Sequence, residues 1–141
     1  MTDADRIPTP ATRTASCRCG QLTAECAGEP IRVSACHCLA CKARSGSAFA
    51  VQVRFPADQV TTSGRSTEYV HIADSGNAAS FHFCPVCGAT LWYQSRPIFD
   101  AIAIPLGNFE DPRFVSPRFS VWEARKLDWV DILGDEVEHS D

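Results

Sequence analysis

A chain of 141 residues with a net charge of −4 is the size of one domain, and its mildly acidic balance gives no general attraction for nucleic acid or an anionic membrane. No segment approaches the ~20 apolar residues that cross a bilayer, and residues 1–16 lack the apolar core of a signal peptide. We therefore expect a cytoplasmic protein without nucleic-acid or membrane partners. Stable disulfides are rare in that reducing compartment, so the eight cysteines need another explanation.

The spacing of apolar residues predicts strands along most of the chain. Residues 1–14 are polar and rich in Pro and Thr, which predicts a flexible N-terminal tail. Beyond them apolar and polar residues alternate, and Leu22, Ala24 and Cys26 share one parity, as on one face of a strand. Gly, Pro, Asn and Asp mark the turns between the strands. The further predicted strands lie in segments 31–36, 47–55, 66–72, 79–83, 89–95 and 99–106.

Helical patterns are short and few, at residues 39–44 and 56–60. Many short strands separated by turns are typical of an antiparallel all-β fold, here over residues 15–133 with one or two short helices. The last residues, 134–141, are acidic and predict a frayed C-terminal tail.

Seven of the eight cysteines fall into three tight groups. Two thiolates at a C-x-x-C spacing, such as Cys84 and Cys87, hold one Zn²⁺ at ~2.3 Å each. Pro85 stiffens that turn, and Gly88 permits the positive φ that points backbone amides at sulfur. A redox C-x-x-C of the thioredoxin type needs a βαβ context, which the sequence lacks. We therefore interpret as zinc ligands Cys17, Cys19, Cys36, Cys38, Cys41, Cys84 and Cys87.

Seven ligands divide most simply as four and three. Four thiolates close a structural zinc site, whereas three leave one position open, as in a catalytic zinc site. Spacing alone does not say which cysteines complete the site of the C-x-x-C pair. Cys17 and Cys19 are favoured because, like Cys84 and Cys87, they form a bare pair, that is, two cysteines with no third one nearby. Residues 36–41 already supply three ligands. A labile disulfide is the alternative for this central group of three.

The remaining cysteine and the histidines are interpreted as structural residues. Cys26 shares the parity of its apolar neighbours and is expected to be a small buried hydrophobe. His37 stands between two ligands and is expected to point away from them. His71 and His82 oppose the apolar parity of their strands, which favours exposed residues over ligands. His139 lies in the acidic tail, and the sequence gives it no role.

Taken together, the cysteine motifs resemble the glutathione-dependent formaldehyde-activating enzyme family, whose domain is shared with centromere protein V. The resemblance covers residues 15–133 and is carried by joint motif spacing rather than by any one motif. Its segments are Ser16–Gly20, Cys36–Cys41, Ser45–Gly46, Phe83–Gly88, Gly107–Pro112 and Lys126–Val130. Ser120 stands where the family usually has histidine, and Phe109 and Glu110 replace the usual Leu and Asp.

The resemblance implies an all-β, Mss4-like, zinc-stabilised fold. It implies a carbon–sulfur lyase reaction written in reverse, which joins the co-substrate glutathione to formaldehyde as S-(hydroxymethyl)glutathione. It also implies two zinc sites, a structural one on Cys17, Cys19, Cys84 and Cys87 and an active-site one on Cys36, Cys38 and Cys41.

The residues after Cys41 are candidates for binding the thiol substrate. Lys42 and Arg44 would offset the negative charge of a thiolate-rich zinc and bind glutathione carboxylates, which Arg does bidentately. Ser45 and Gly46 are expected to shape the backbone beside the site, with Gly46 allowing close approach of a ligand. The alternative for Lys42 and Arg44 is a solvated surface turn.

Two other functions fit the same sequence. One is a zinc-stabilised β-domain without enzymatic activity that binds a protein or a small thiol; a basic tail for nucleic acid is absent. The other keeps the enzyme but changes the thiol or the electrophile. Its pocket would be lined by aromatic residues whose alternative role is plain core. These residues are Phe49, Phe55, Trp92, Tyr93 and Phe99.

Overall fold

Two β-sheets and one short α-helix make up the computed structural model, which describes residues 11–72, 76–95 and 100–141. The helix, α1, spans Leu39–Ser45. Single turns of 3-10 helix lie at Ala57–Gln59, Leu106–Asn108, Pro112–Phe114 and Glu123–Arg125. The strands are β1 (Thr12–Ser16), β2 (Thr23–Ala27), β3 (Arg32–Cys36), β4 (Ala50–Pro56), β5 (Val60–Ser63), β6 (Thr67–Ile72), β7 (Ala78–Phe83), β8 (Thr90–Ser95), β9 (Ala101–Pro105), β10 (Phe119–Val121) and β11 (Glu138–His139).

The strands pair into a small and a large sheet. The small sheet has the order β1-β2-β5 and the large one β11-β10-β3-β4-β9-β8-β7-β6. β10 runs parallel to both β3 and β11, and the other named pairs are antiparallel. The large sheet is therefore mixed rather than purely antiparallel. The parallel neighbours β10 and β11 follow each other in the chain and are joined by the long segment 122–137 instead of a hairpin, as parallel strands require.

The predicted strands and the first predicted helix are confirmed. Each of the seven predicted strand segments contains a strand within a residue or a few of the predicted bounds. Helix α1 is capped at its N-terminus by Cys38, whose Sγ accepts a hydrogen bond from the Cys41 backbone amide at 3.3 Å. It ends at Gly46, where φ is 65°. The second predicted helix is only the 3-10 turn Ala57–Gln59.

Both predicted tails are corrected where the structure describes them. Residues 12–14 belong to β1, which pairs with β2 from Thr12↔Ala27 to Ser16↔Thr23; residues 1–10 lie outside the described residues. The acidic end is not frayed, because β11 adds to the edge of β10 and Val137 packs against the buried cluster of Ala35, Val130 and Ile132. Polar strands without an apolar face leave no periodic signal, so tertiary pairing decides their structure.

The main core draws apolar side chains from both sheets. Phe55 is fully buried and lies with its ring 6.2 Å from that of Phe109, one of the residues that depart from the family pattern. Cys26 is fully buried, and burial raises the pKa of its thiol to about 12, which confirms its interpretation as a buried hydrophobe. Among the described residues no helix is long and apolar enough to cross a membrane. Other members of this core are Ala15, Leu22, Ala24, Val53, Leu91 and Ile104.

Candidate metal centres

The first cysteine cluster lies where the two sheets meet. Cys17 and Cys19 occupy the turn between β1 and β2, and Cys84 and Cys87 occupy the turn between β7 and β8. Their four sulfur atoms lie within 4.8 Å of one another, with Sγ–Sγ distances of 3.6 Å from Cys19 to Cys17 and 3.7 Å to Cys84. The structure thus brings the two bare pairs together, in an arrangement that can hold one metal ion.

Hydrogen bonds from the surrounding chain converge on Cys84, which is fully buried. Its sulfur accepts the backbone amides of Val86 at 3.3 Å and Cys87 at 3.5 Å and the side-chain amide of Gln21 at 2.9 Å. Burial alone would raise the pKa of Cys84, but these hydrogen bonds outweigh it and lower the pKa to about 6. At Cys84 the surroundings therefore favour thiolate, the form of cysteine that binds metal.

Gln21 is a supporting residue that the sequence analysis missed. Its side chain also donates to the Arg65 carbonyl at 2.8 Å and accepts from the Arg65 amide at 3.0 Å, which fixes its orientation toward Cys84. Gln21 and Cys84 are 63 residues apart, so no local pattern links them.

The second cluster is formed where β3 runs into α1. Cys36 ends β3, Cys38 caps the helix, and Cys41 lies in its first turn, with the three sulfurs within 4.8 Å of one another. Cys36 is buried, whereas Cys38 and Cys41 are partly exposed. A hydrogen bond from Cys36 lowers the pKa of Cys41 to about 6 against the effect of burial, and Cys38 and Arg44 act in the same direction. The Cys41 thiolate and burial raise the pKa of Cys36.

Of the two predicted cations, Arg44 is at the cluster and Lys42 is not. The Arg44 guanidinium lies 4.7 Å above the centre of the Tyr93 ring, and its charge lowers the pKa of Cys41. Lys42 instead donates to the backbone carbonyl of Arg125, so its ammonium is engaged by the C-terminal segment. That Lys42 binds the substrate stays a prediction from the sequence.

Ser45 and Gly46 end the helix. Ser45 Oγ donates to the Cys41 carbonyl at 2.8 Å and accepts from the Ser47 amide at 3.2 Å. Gly46 adopts a left-handed conformation, and a Cβ placed there would meet no heavy atom within 4 Å. Its conformation, not close approach of a neighbour, is what requires glycine.

Arg54 is a second cation near this cluster and was not singled out in the sequence. It lies on β4, where its guanidinium donates to Ser34 Oγ at 3.3 Å. Burial lowers the pKa of Arg54, an effect that the charges of Tyr93, Cys41 and Cys36 oppose. A signal was available: Gln52 and Arg54 are polar residues at alternate positions of an otherwise apolar strand.

Behind the cluster, buried His37 belongs to a hydrogen-bonded chain that reaches the C-terminus. Its Nε2 lies 2.9 Å from Ser120 Oγ, and both residues are fully buried. Ser120 Oγ donates to Glu123 at 2.7 Å, and His139 Nδ1 lies 2.7 Å from the same carboxylate oxygen. Hydrogen bonding by His139 lowers the pKa of Glu123, so Glu123 is ionised and acts only as an acceptor.

This arrangement determines the tautomer of His37. Because the Ser120 hydroxyl hydrogen goes to Glu123, Ser120 Oγ must accept from Nε2–H of His37. The other ring nitrogen, Nδ1, then carries a lone pair and has no hydrogen-bond partner among the described residues. His37 faces β10, in agreement with the prediction that it points away from the ligands, and His139 has a role that the sequence did not indicate.

We expect Ser120→Ala to lower the free energy of unfolding by about 1–3 kcal/mol, because it removes a buried hydroxyl on which two polar groups depend. Ser63→Ala, an exposed strand position, is the matched control and should change it by less than about 0.5 kcal/mol. Urea unfolding of both variants with metal bound measures the difference. Equal changes in the free energy of unfolding would mean that the hydrogen bonds of Ser120 contribute nothing to stability.

A cavity of about 420 Å³ lies between α1 and the strands β6, β7 and β8. Arg44 belongs both to its lining and to the surroundings of Cys41. His71 also lines it and is half-buried on β6, outside both cysteine clusters. The full lining is Ala40, Ala43, Arg44, Tyr69, His71, Phe81, Phe83 and Thr90.

None of the four described aromatic residues named from the sequence lines this cavity. Phe55 is core, and Phe49 packs with its ring 5.6 Å from that of His37. Trp92 stacks on His82 at 3.7 Å, and His82 also lies 3.4 Å from the Glu68 carboxylate, so His82 is half-buried rather than exposed. Tyr93 is buried behind the cavity, where its hydroxyl donates to Gln52 at 3.0 Å. Phe99 lies outside the described residues.

The fold and the two thiol clusters define a small, mostly β protein with two groups of cysteines that can hold metal ions. A sequence model of the family described as "Glutathione-dependent formaldehyde-activating enzyme" matches residues 12–125, and the chain belongs to this family. The predicted family and Mss4-like fold class are confirmed.

One solved structure supports the fold. A crystal structure of a Rhodobacter sphaeroides protein has a TM-score of 0.55 and 20% sequence identity to this chain. The match covers 74% of this chain and 92% of that one. At this identity the likeness concerns the fold alone. A search of curated proteins found none that matches the chain.

Proposed function

We propose that this protein is a zinc-dependent enzyme of the carbon–sulfur lyase type. It captures a thiol, glutathione, at Cys36, Cys38 and Cys41 and adds it to formaldehyde or another small electrophile. The observation that carries the proposal is the division of seven sulfur atoms into a group of four and a separate group of three. Family membership supports the choice of thiol and aldehyde.

The donor sets suit zinc, since thiolates select zinc over the harder divalent ions. Cys17, Cys19, Cys84 and Cys87 would close a structural site. Cys36, Cys38 and Cys41 would hold a second zinc ion with one position left open, and that ion would favour the ionised form of a thiol from solution near neutral pH.

The protein's own contribution at the second site is charge and position. Three thiolates outweigh the charge of one Zn²⁺, and a fourth adds to the excess, which would repel an incoming anionic thiol. Arg44 and Arg54 both lie near Cys41 and offset that excess. Arg44 is partly exposed and is placed to bind a glutathione carboxylate.

The reaction is an addition without redox change. The thiol sulfur forms a bond to the aldehyde carbon, the carbonyl π pair moves to oxygen, and the proton lost by the thiol ends on that oxygen. Holding the thiol ionised and next to the aldehyde lowers the barrier, because a free thiol is mostly protonated at pH 7.

The proposal is tested by NMR measurement of the exchange between free formaldehyde and its glutathione adduct. Formaldehyde and glutathione also form this adduct slowly without protein, so the uncatalysed rate is the baseline. Anaerobically purified protein should carry about two zinc ions per chain and speed the exchange in proportion to its concentration. Protein with one zinc ion per chain and no effect on the exchange would instead favour the zinc-stabilised binding domain.

Arg44→Met should weaken glutathione capture about 10- to 100-fold, as expected for loss of a charge-assisted hydrogen bond. The matched control is Arg113→Met, since Arg113 is exposed and pairs with Asp111 at 2.9 Å away from both clusters. Glutathione titrations of the exchange rate give both values. A loss of the same size in both variants would remove Arg44 from the site.

A further inference from the structure

The cavity beside the second cluster is larger and less polar than formaldehyde requires. Its volume is about 420 Å³, within the range of pockets that enclose a whole organic ligand. A molecule with two heavy atoms would leave nearly all of it to water. The cavity therefore has room for a larger molecule than formaldehyde.

The lining shows which chemistry the cavity favours. Tyr69, Phe81 and Phe83 project from one face of β6 and β7, where Tyr69 is directly opposite Phe81 in the strand register. Ala40 and Ala43 form the helical wall with their methyl groups. Aromatic side chains bind aromatic rings in stacked or edge-on arrangements. The surface presented to a ligand is thus mostly apolar and aromatic.

Charge argues against a polar occupant such as the body of glutathione. The described lining contains no carboxylate to pair with an ammonium, and its one permanently charged group, Arg44, can pair with only one carboxylate, at the side of the cavity next to Cys41. Burying the carboxylates and ammonium of a peptide here would leave charges unpaired, which is costly. An uncharged ring avoids that penalty.

We propose that this cavity holds the side group of the electrophile and that the preferred electrophile is an uncharged aromatic aldehyde. The inference rests on the proposed function, since it places the aldehyde carbon at the mouth of the cavity next to the captured thiol. The sulfur–carbon bond forms there, the carbonyl π pair moves to oxygen, and the thiol proton ends on the new hydroxyl.

The test compares benzaldehyde with formaldehyde in the zinc-loaded, full-length protein. Ala43→Trp fills the cavity from the helix. It should lower the ratio of kcat/KM for benzaldehyde over formaldehyde about 10- to 100-fold, which is the fold-change expected when one aromatic ring can no longer be buried. Ala40→Trp provides a second variant in case the first does not fold. Thr62→Trp, exposed on β5 in the other sheet, should keep the wild-type ratio.

A binding measurement separates this inference from the proposed function. Benzyl alcohol, which has the ring but no carbonyl, should show saturation-transfer NMR signals with wild-type protein and lose them with Ala43→Trp. If neither aldehyde reacts faster with protein, the proposed function fails, and the benzyl alcohol signals still show whether the cavity binds an aromatic ring. If formaldehyde reacts but the ratio is unchanged in the filled variants, this inference fails and the proposed function stands.

Discussion

Cys87→Ser should prevent the chain from folding. Cys87 belongs to the cluster at the meeting point of the two sheets, and a serine hydroxyl does not replace a thiolate on zinc. A structural zinc site supplies ~10 kcal/mol or more of folding free energy, which is comparable to the whole stability of a domain of about 5–15 kcal/mol. We expect loss of soluble protein or, where some is recovered, a circular-dichroism spectrum without the native sheet.

The control for this variant is Cys26→Ala, which removes another buried thiol that lies outside both clusters. It should retain all zinc and cost about 1 kcal/mol, because only a small volume is lost from the core. Soluble yield, elemental zinc and thermal unfolding compare the two. A folded Cys87→Ser protein with its full zinc content would show that the four sulfurs do not form a structural site.

The parts of the fold that could be predicted are those recorded in short stretches of sequence. A strand with one apolar face, such as β4 or β8, shows alternating apolar and polar residues, and this pattern predicts the strand directly from the sequence. β1 and β11 lack that face and exist because a partner strand satisfies their backbone groups. The parallel pairing of β10 with β3 joins segments far apart in sequence, so local patterns could not reveal it.

The candidate sites divide in the same way. Grouped cysteines have few roles other than metal binding or redox chemistry, so their clustering could be anticipated. Gln21 could not, because glutamine occurs in many environments and only the fold brings it near Cys84. Arg54 left a signal as a polar residue in an apolar strand, but only the fold shows that it lies near Cys41. Helix geometry separates Lys42 from Arg44: two positions apart is about 200° around the axis, so both cannot face one cluster.

Cys38→Ser should leave the protein folded while removing about one zinc ion per chain. Cys38 caps α1 by accepting the Cys41 amide through its sulfur, and serine is a preferred N-cap residue that accepts the same hydrogen bond. The neighbouring β3 is held on both sides, by β4 and by β10, independently of the three sulfurs. The helix and sheet should therefore survive when the ligand is lost.

Glutathione capture should disappear in the same variant, with a loss larger than the ~10- to 100-fold typical of residues that only support a metal ligand. Elemental analysis, thermal unfolding and the glutathione–formaldehyde exchange rate separate the effects, since fold and activity are expected to respond differently. Their combination tests the division of the sulfurs directly. If Cys38→Ser unfolded the chain as Cys87→Ser does, the two clusters would share one structural role, and an open site of three thiolates could not account for the chemistry.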